Sequence, residues 1–336
     1  MLISRRGLAA AALAVAFAGP VLAADKVAVG ALRFVSSGGI FLALERGYFA
    51  AEGIEVELKF FEAAQPIAVA VVSGDVQFGV TGLTAGAYNL AAKGGLVVVA
   101  AQGAEKKGVV GNQLVVSNDA YAKGLTSPDK LAGASAAISQ VGSTFHYQFG
   151  QIAAAKGFDL AKIALKPLQS LPNMVAAVKT GQVDAAILPP HLAGPLAERG
   201  EAKVVAPLSD IADYQFGGLF TSPAQIAANR ALVERFVRAY QKGLKDYDAA
   251  LMRTADGKRV SDETAMKAAT EIGKYVYPSD AAPDAAKKVI ASAPYCEPTG
   301  KLDLANIEAQ IAWYKAEKLV DAGVEAKKFV DTSFAK

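Results

Sequence analysis

The chain has 336 residues, of which 52% are hydrophobic and 20% are charged. This length suffices for two domains, and the composition excludes a disordered chain. A formal net charge of +3 without a Lys/Arg block excludes nucleic acid as an expected partner. The single cysteine, Cys296, excludes an internal disulfide and argues against a cysteine-ligated metal site, so we expect it to be a small buried hydrophobe.

The N-terminal segment is typical of an export signal. Arg5 and Arg6 precede an apolar run over residues 8–18, and a small-x-small cleavage motif ends at Ala23. We therefore predict a cleaved signal peptide over residues 1–23 and a mature protein in the periplasm. A membrane anchor is the alternative, but the run is shorter than the ~20 residues that a membrane span needs. The adjacent arginines fit a general secretory signal and a twin-arginine signal alike.

After this segment, the hydrophobic pattern predicts strand, helix, strand, helix and strand twice. The first unit is expected over 26–32, 40–53, 54–60, 66–73 and 76–80, and the second over 133–139, 145–157, 162–168, 172–181 and 183–188. Aligning Gly74 with Gly181 places Val76 on Val183, so both units have a glycine helix stop before a short buried strand. Alternating strands and helices predict two doubly wound parallel-sheet lobes of the α/β class.

In such sheets, ligands bind at the carboxyl ends of the strands. If the two lobes face each other, the loops after their strands line one shared cleft. Strands expected over 96–102 and 113–117 carry the chain to the second lobe, and those over 203–209 and 216–222 carry it back. Helical segments follow after Ser222.

No motif of a nucleotide-binding loop, a nucleophile elbow or a zinc protease occurs in the sequence. Small polar loops instead precede two predicted helices, at residues 36–39 and 142–144. Unpaired N–H groups and the partial positive charge at a helix N-terminus favour anions, and serine and threonine hydroxyls add donors. The alternative is that these hydroxyls only cap their own helices. For His146, a structural hydrogen bond is the alternative to ligand contact.

The chain resembles the periplasmic solute-binding proteins of ABC importers. The resemblance rests on "GYFAAEGIEVE" followed by "SGDVQFGV", on "ISQVGSTFHYQFGQIAAAKGFDL" and on "VAAVKTGQVDAAILPP". The group that it indicates includes sulfonate, nitrate, taurine and thiamine-precursor binders. The resemblance implies a type II periplasmic binding protein with a hinge of two crossings: lobe one over 24–112 and 212–336, and lobe two over 113–211.

The resemblance also implies the cleft contacts. They are expected at Ser37, Gly38, Gly39, Thr81, Gly82, Leu83, Ser143, Thr144, His146, Pro190 and His191. Pro190 and His191 stand in the stretch "PPHLAGP", where many members of the group have an acidic-aromatic loop. The ligand of this chain can therefore differ from the ligands of those members.

These observations favour a non-enzymatic receptor. We expect a monomer that needs no cofactor or metal, captures a small anionic organic solute and delivers it to a membrane permease. A pyrimidine or thiamine-precursor binder, or an enzyme of pyrimidine synthesis on the same scaffold, is the alternative. Phe34, Phe41, Phe145 and Tyr147 near the loops suit an aromatic body, and Arg33 is a candidate partner for a carboxylate.

Overall fold

A computed structural model describes residues 23–335. The predicted signal peptide therefore lies outside the described residues except for Ala23. The strands are β1 (Asp25–Ala31), β2 (Ile54–Phe60), β3 (Phe78–Gly82), β4 (Val97–Ala101), β5 (Gly103–Glu105), β6 (Gln113–Val116), β7 (Ser135–Ile138), β8 (Ala164–Pro167), β9 (Ala185–Leu188), β10 (Lys203–Pro207), β11 (Tyr214–Gln215), β12 (Gly217–Thr221), β13 (Thr254–Ala255), β14 (Lys258–Arg259) and β15 (Tyr295–Cys296).

The helices alternate with these strands in the first two thirds of the chain and dominate the last third. They are α1 (Gly38–Glu45), α2 (Tyr48–Ala51), α3 (Ala64–Ser73), α4 (Ala85–Ala92), α5 (Asn118–Ala122), α6 (Thr144–Lys156), α7 (Leu171–Lys179), α8 (Pro190–Glu198), α9 (Pro223–Ala228), α10 (Arg230–Leu251), α11 (Glu263–Val276), α12 (Ala282–Ser292) and α13 (Leu304–Ala316). None of the helices within residues 23–335 has the length and apolar character needed to cross a membrane.

Two five-stranded sheets share one topology. The first has the order β2-β1-β3-β12-β4 and the second the order β8-β7-β9-β6-β10. In both, the first three strands are parallel and the fourth is antiparallel to its neighbours. We call the first sheet with its helices lobe one and the second sheet with its helices lobe two. The predicted α/β class with parallel-strand sheets is confirmed.

The antiparallel strand is a feature that the alternating pattern did not predict. It is β12 in lobe one and β6 in lobe two, the strand that follows a crossing between the lobes. The crossings contain β5 and β11, which belong to a small third sheet of order β11-β5-β15. A strand that enters a sheet directly from the other lobe has no crossover helix to reverse it, and therefore runs against its neighbours.

The glycine stops that the sequence predicted have a common backbone geometry. Gly74 after α3 has φ +85° and Gly181 after α7 has φ +74°. A residue in this left-handed region ends a helix without the steric penalty that a Cβ would bring. The chain then enters β3 and β9, whose carboxyl ends carry the loops between the lobes.

The core of lobe one supports the loop that enters the site. Phe78 of β3 stacks on Phe236 of α10 with ring centroids 3.8 Å apart. On the same face α1 packs against α10 so closely that a Cβ on Gly243 would lie 2.0 Å from the carbonyl oxygen of Gly39. The position of α1, and with it the loop before α1, therefore depends on glycine at this crossing.

The substitution Gly243→Ala should destabilise the protein by about 1–3 kcal/mol, because α1 must move away from α10. Gly194→Ala is the matched control, since Gly194 also lies inside a helix and has no neighbour within 4 Å of its would-be Cβ. The control should change stability by less than about 0.5 kcal/mol, because the gain in helix propensity is offset by Pro195, which disfavours the helical conformation for a residue with a Cβ before it. Urea unfolding measures both; equal effects of the two substitutions would contradict this packing.

Candidate functional site

An enclosed cavity lies between the lobes at the carboxyl ends of their strands. Its polar lining from lobe one is Ser36, Ser37, Glu62, Gln65, Thr81, Thr84 and Gln102, and from lobe two and the first crossing it is Asn112, Ser139, Gln140, Ser143, Thr144 and His191. Its apolar lining includes Leu32, Phe34, Phe145, Leu171, Pro189, Pro190, Phe216 and Pro294. A concave site in which apolar walls are combined with convergent polar groups is typical of small-molecule binding.

Several helices begin at the cavity. The Thr84 hydroxyl caps α4 by accepting a hydrogen bond from the Ala87 N–H, and Ser143 caps α6 by accepting from the His146 N–H. The loop of Ser36 and Ser37 precedes α1, and Pro190 opens α8. Their N-terminal ends concentrate partial positive charge at the cavity without a cationic side chain.

Two hydroxyls of lobe one are buried without a partner. The residues Ser37 and Thr81 are each 2% exposed and line the cavity. Neither Ser37 Oγ nor Thr81 Oγ1 has a hydrogen-bond partner among the described residues. Ser37 stands at the N-cap position of α1 but its hydroxyl makes no cap hydrogen bond. Both hydroxyls are therefore free to bind a ligand, since a buried unsatisfied polar group is otherwise unfavourable.

The cavity carries little ionic charge. Glu62, which is exposed, and His191 are the lining residues with ionisable side chains. Burial lowers the pKa of His191 to about 3, which keeps the imidazole neutral at neutral pH. Its ring lies 5.0 Å from that of Phe34, so it forms part of an aromatic wall that connects the lobes.

The lobes touch around the cavity. The Ala85 N–H at the start of α4 donates to the Gly142 carbonyl at 2.9 Å, and the Tyr277 hydroxyl donates to the His191 carbonyl at 3.0 Å. A Cβ on Gly82 would lie 2.8 Å from Thr144 Cγ2. These contacts between lobe one and lobe two describe a closed arrangement.

Comparison with known proteins agrees with this architecture. The family model described as NMT1/THI5 like matches residues 35–250. The chain belongs to the NMT1/THI5-like family. No curated protein matches it.

Three solved binding proteins are among the structures similar to this NMT1/THI5-like chain. The alkanesulfonate-binding protein SsuA from Xanthomonas axonopodis pv. citri bound to MOPS has a TM-score of 0.73 at 19% identity, covering 92% of this chain and 99% of that chain. The periplasmic nitrate-binding protein NrtA from Synechocystis PCC 6803 has a TM-score of 0.70 at 12% identity, covering 90% and 84%. The periplasmic aliphatic sulphonate binding protein SsuA from Escherichia coli has a TM-score of 0.69 at 16% identity, covering 92% of this chain and 92% of that chain. The predicted resemblance to this group is confirmed. At such low sequence identity, the structural similarity establishes only that the fold is shared.

Seven of the sequence-predicted contacts in this NMT1/THI5-like chain come together at the cavity. They are Ser37, Thr81, Gly82, Ser143, Thr144, Pro190 and His191. The stretch that contains the last two begins a helix rather than a loop, because Pro190 occupies the first position of α8, where its missing N–H costs nothing.

The other four predicted contacts do not line the cavity. Gly38 and Gly39 pack under α10, and Leu83 is buried in the core. His146 is turned away: its Nδ1 accepts a hydrogen bond from the Gly142 N–H at 3.1 Å, and its ring meets Trp313 edge-on. Burial lowers the pKa of His146, consistent with a neutral acceptor.

Two aromatic candidates and Arg33 also lie elsewhere. Phe41 stacks on Tyr275 in the core, and Tyr147 packs against Trp313. The Arg33 guanidinium donates to the Tyr275 carbonyl and covers the Phe60 ring at 3.9 Å, so it has partners outside the cavity.

Sequence reasoning missed several lining residues. Gln102 directly follows β4, and Ser139 directly follows β7. The rule that ligands bind at strand carboxyl ends would have identified both had it been applied to every strand. Asn112 and Phe216 lie at the crossings between the lobes, where no motif marks them.

Thr81→Val removes a hydroxyl at nearly constant shape. We expect solute affinity to fall about tenfold and the free energy of unfolding to stay equal or rise, because the hydroxyl has no protein partner to lose. Thr221→Val is the matched control in the neighbouring strand, since the Thr221 hydroxyl is buried and donates to the Gln77 carbonyl at 2.7 Å.

The control should lose about 1–2 kcal/mol of stability and keep its affinity. Calorimetric titration with a sulfonate, a carboxylate and nitrate as probes, together with urea unfolding, measures both quantities. Unchanged affinity in Thr81→Val would remove Thr81 from the binding site.

Proposed function

We propose that the chain is the extracytoplasmic solute-binding receptor of an ABC importer. It captures a small anionic organic solute, sulfonate-like or carboxylate-like, between two lobes and delivers it to a membrane permease. The observation that carries this proposal is the pair of hydroxyls on Ser37 and Thr81, buried without a partner in a cavity between the lobes. A ligand would satisfy them, and its contacts with both lobes would stabilise the closed state.

The preference for an anion follows from the direction of the donors. The N-terminal ends of α1, α4, α6 and α8 meet at the cavity, and the lining hydroxyls and amides can donate to oxygen. With His191 neutral, no full positive charge among the described lining residues would bind an anion. We therefore expect a weakly hydrated monoanion, for which neutral hydrogen bonds compensate lost water more easily than for a multiply charged ion.

The remaining assignments belong to the same proposal. Residues 1–23 would direct export to the periplasm, where the mature monomer works with the permease. We place lobe one at 24–112 and 212–336 and lobe two at 113–211. The strand membership of the two sheets supports these bounds, since β6 to β10 form the second sheet and β12 returns to the first.

A second candidate is a planar pyrimidine-type solute. The rings of Phe34, Phe145, Phe216 and His191 in the cavity lining favour it, since they offer flat apolar surface to an aromatic body. An enzyme on this scaffold finds less support. Cys296 is fully buried, burial raises the pKa of its thiol to about 12, and the thiol donates to the Ser36 carbonyl.

The test uses the mature protein. Native mass spectrometry first identifies any co-purified small molecule, and calorimetry then titrates an alkanesulfonate, nitrate, an aliphatic carboxylate and a phosphorylated pyrimidine. We expect at least one anion to bind at micromolar concentration or below and to reduce the radius of gyration in small-angle scattering. Absence of binding and of a co-purified molecule would contradict the proposal.

A pair of variants controls for closure. Gly82→Ala places a methyl group against Thr144 Cγ2 and should weaken binding at least tenfold while abolishing compaction. Adding Thr144→Ser removes the opposing methyl group and should restore both. An equal loss in the single and the double variant would mean that this contact does not limit closure.

A further inference from the structure

The carboxyl group of Glu105 lies where both crossings between the lobes meet. Glu105 ends β5, and its pairing partner in β11 is Tyr214 on the second crossing. Its Oε1 accepts hydrogen bonds from the Asn112 N–H at 3.0 Å, on the first crossing, and from Gln148 Nε2 of α6 at 3.2 Å. The Glu105 side chain thus connects the first crossing with a helix of lobe two, while its backbone pairs with the second crossing.

This site is closed to solvent and leaves three polar atoms without a partner. Glu105 and Gln148 are 0% exposed, and Tyr214 is 3% exposed. Glu105 Oε2, Gln148 Oε1 and the Tyr214 hydroxyl have no hydrogen-bond partner among the described residues. Glu105 Oε2 lies against the backbone of Gly111, where a Cβ would approach to within 1.7 Å. The carboxyl group therefore has no room to turn toward water.

Counting donors and acceptors decides between the two charge states. With an ionised carboxylate, the three atoms comprise two acceptors and one hydroxyl. The hydroxyl is then their single donor, and it cannot serve both acceptors. A protonated carboxyl adds a second donor, so that the three atoms then include as many donors as acceptors that need one. The neutral acid is therefore the charge state that leaves fewer buried acceptors without a donor, and incomplete buried clusters are unfavourable.

Within residues 23–335, no cationic side chain lowers the pKa of Glu105, so no ion pair compensates a charge there. Lys106 and Lys107 are exposed, and the Lys106 ammonium lies 4.5 Å from the centre of the Tyr295 ring on β15. The ionisable groups that face the cluster are phenols: Tyr214 on β11, with Tyr147 on α6 and Tyr314 on α13 close enough to raise the pKa of Tyr214. Burial raises the pKa of Glu105 to about 8, and only the neutral Asn112 and Gln148 donors lower it.

We propose that Glu105 is a positioning residue that works as a neutral acid, joining both crossings to α6 and so holding the lobes together, and that its deprotonation loosens this joint. An ionised Glu105 would be stabilised by water, which reaches it when α6 moves away from the crossings. The closed arrangement is then linked to one proton, independently of any solute.

The direct test is an infrared titration of the mature, solute-free protein. At pH 6 we expect the carbonyl band of a protonated carboxylic acid, lost with a midpoint near pH 8 and absent in Glu105→Gln. Glu57→Gln, which changes an exposed carboxylate of β2, should retain the band. Absence of the band from the wild type at pH 6 overturns the proposal, whether or not Glu105→Gln folds.

The pH dependence of the folding constant is the second test. Between pH 4.5 and about 8 the unfolded chain has lost this proton while the folded chain retains it, so Glu105 contributes a tenfold fall per pH unit to the wild-type folding constant. Glu105→Gln keeps a neutral, hydrogen-bonding side chain and lacks this loss. The ratio of its folding constant to that of the wild type should rise tenfold per pH unit over this range. A Glu105→Gln variant less stable than the wild type at pH 7.5 would overturn the proposal that Glu105 is a neutral acid.

Small-angle scattering tests the joint itself. The wild-type radius of gyration without solute should increase between pH 6 and pH 9.5, and that of Glu105→Gln should stay constant. Identical curves for the two proteins overturn the role in lobe closure. Because none of these measurements includes a solute, their failure is distinguishable from failure of the proposed solute-binding function.

Discussion

The closed arrangement depends on a contact between two backbones. The Ala85 N–H of lobe one donates to the Gly142 carbonyl of lobe two at 2.9 Å, and a Cβ on Gly142 would lie 2.8 Å from that of Ala85. Gly142 also has φ +78°, which a residue with a side chain rarely adopts. His146 fixes this turn from behind by accepting its N–H. The approach permitted by this glycine brings the two lobes together beside the cavity in which the Ser37 and Thr81 hydroxyls are buried.

The chemistry of the enclosed space follows from this desolvation. A cation buried there without a partner would be unfavourable in the empty protein, whereas helix ends and hydroxyls can be oriented at lower free-energy cost. Recognition would therefore depend on the directions of donors from both lobes. The same desolvation makes His191 neutral and raises the pKa of Glu105 at the crossings. Recognition of the proposed solute and the proposed role of Glu105 would both follow from burying polar groups without counter-ions.

The repeated architecture was predictable because it is local. Hydrophobic periodicity and glycines such as Gly74 and Gly181 encode each strand-helix unit within a few dozen residues, and each sheet contains the three parallel strands of one such unit. The antiparallel β12 and β6 were not predictable, since their direction depends on where the chain comes from. At the site, hydroxyls after strands could be identified from sequence. Whether a residue beside them faces the cavity, as Thr144 does, or the core, as His146 does, depends on helix rotation and packing against distant α13.

The most direct test of ligand-driven closure is hydrogen exchange at the Ala85 amide. This N–H is the first of α4 and has no acceptor within its own helix, so its protection reports the bond to Gly142 across the cleft. The account predicts that protection at Ala85 rises with the concentration of a binding anion, while the Ala87 amide, which donates to Thr84 within lobe one, changes little. Equal protection of Ala85 with and without a bound anion would contradict closure of the two lobes on the solute.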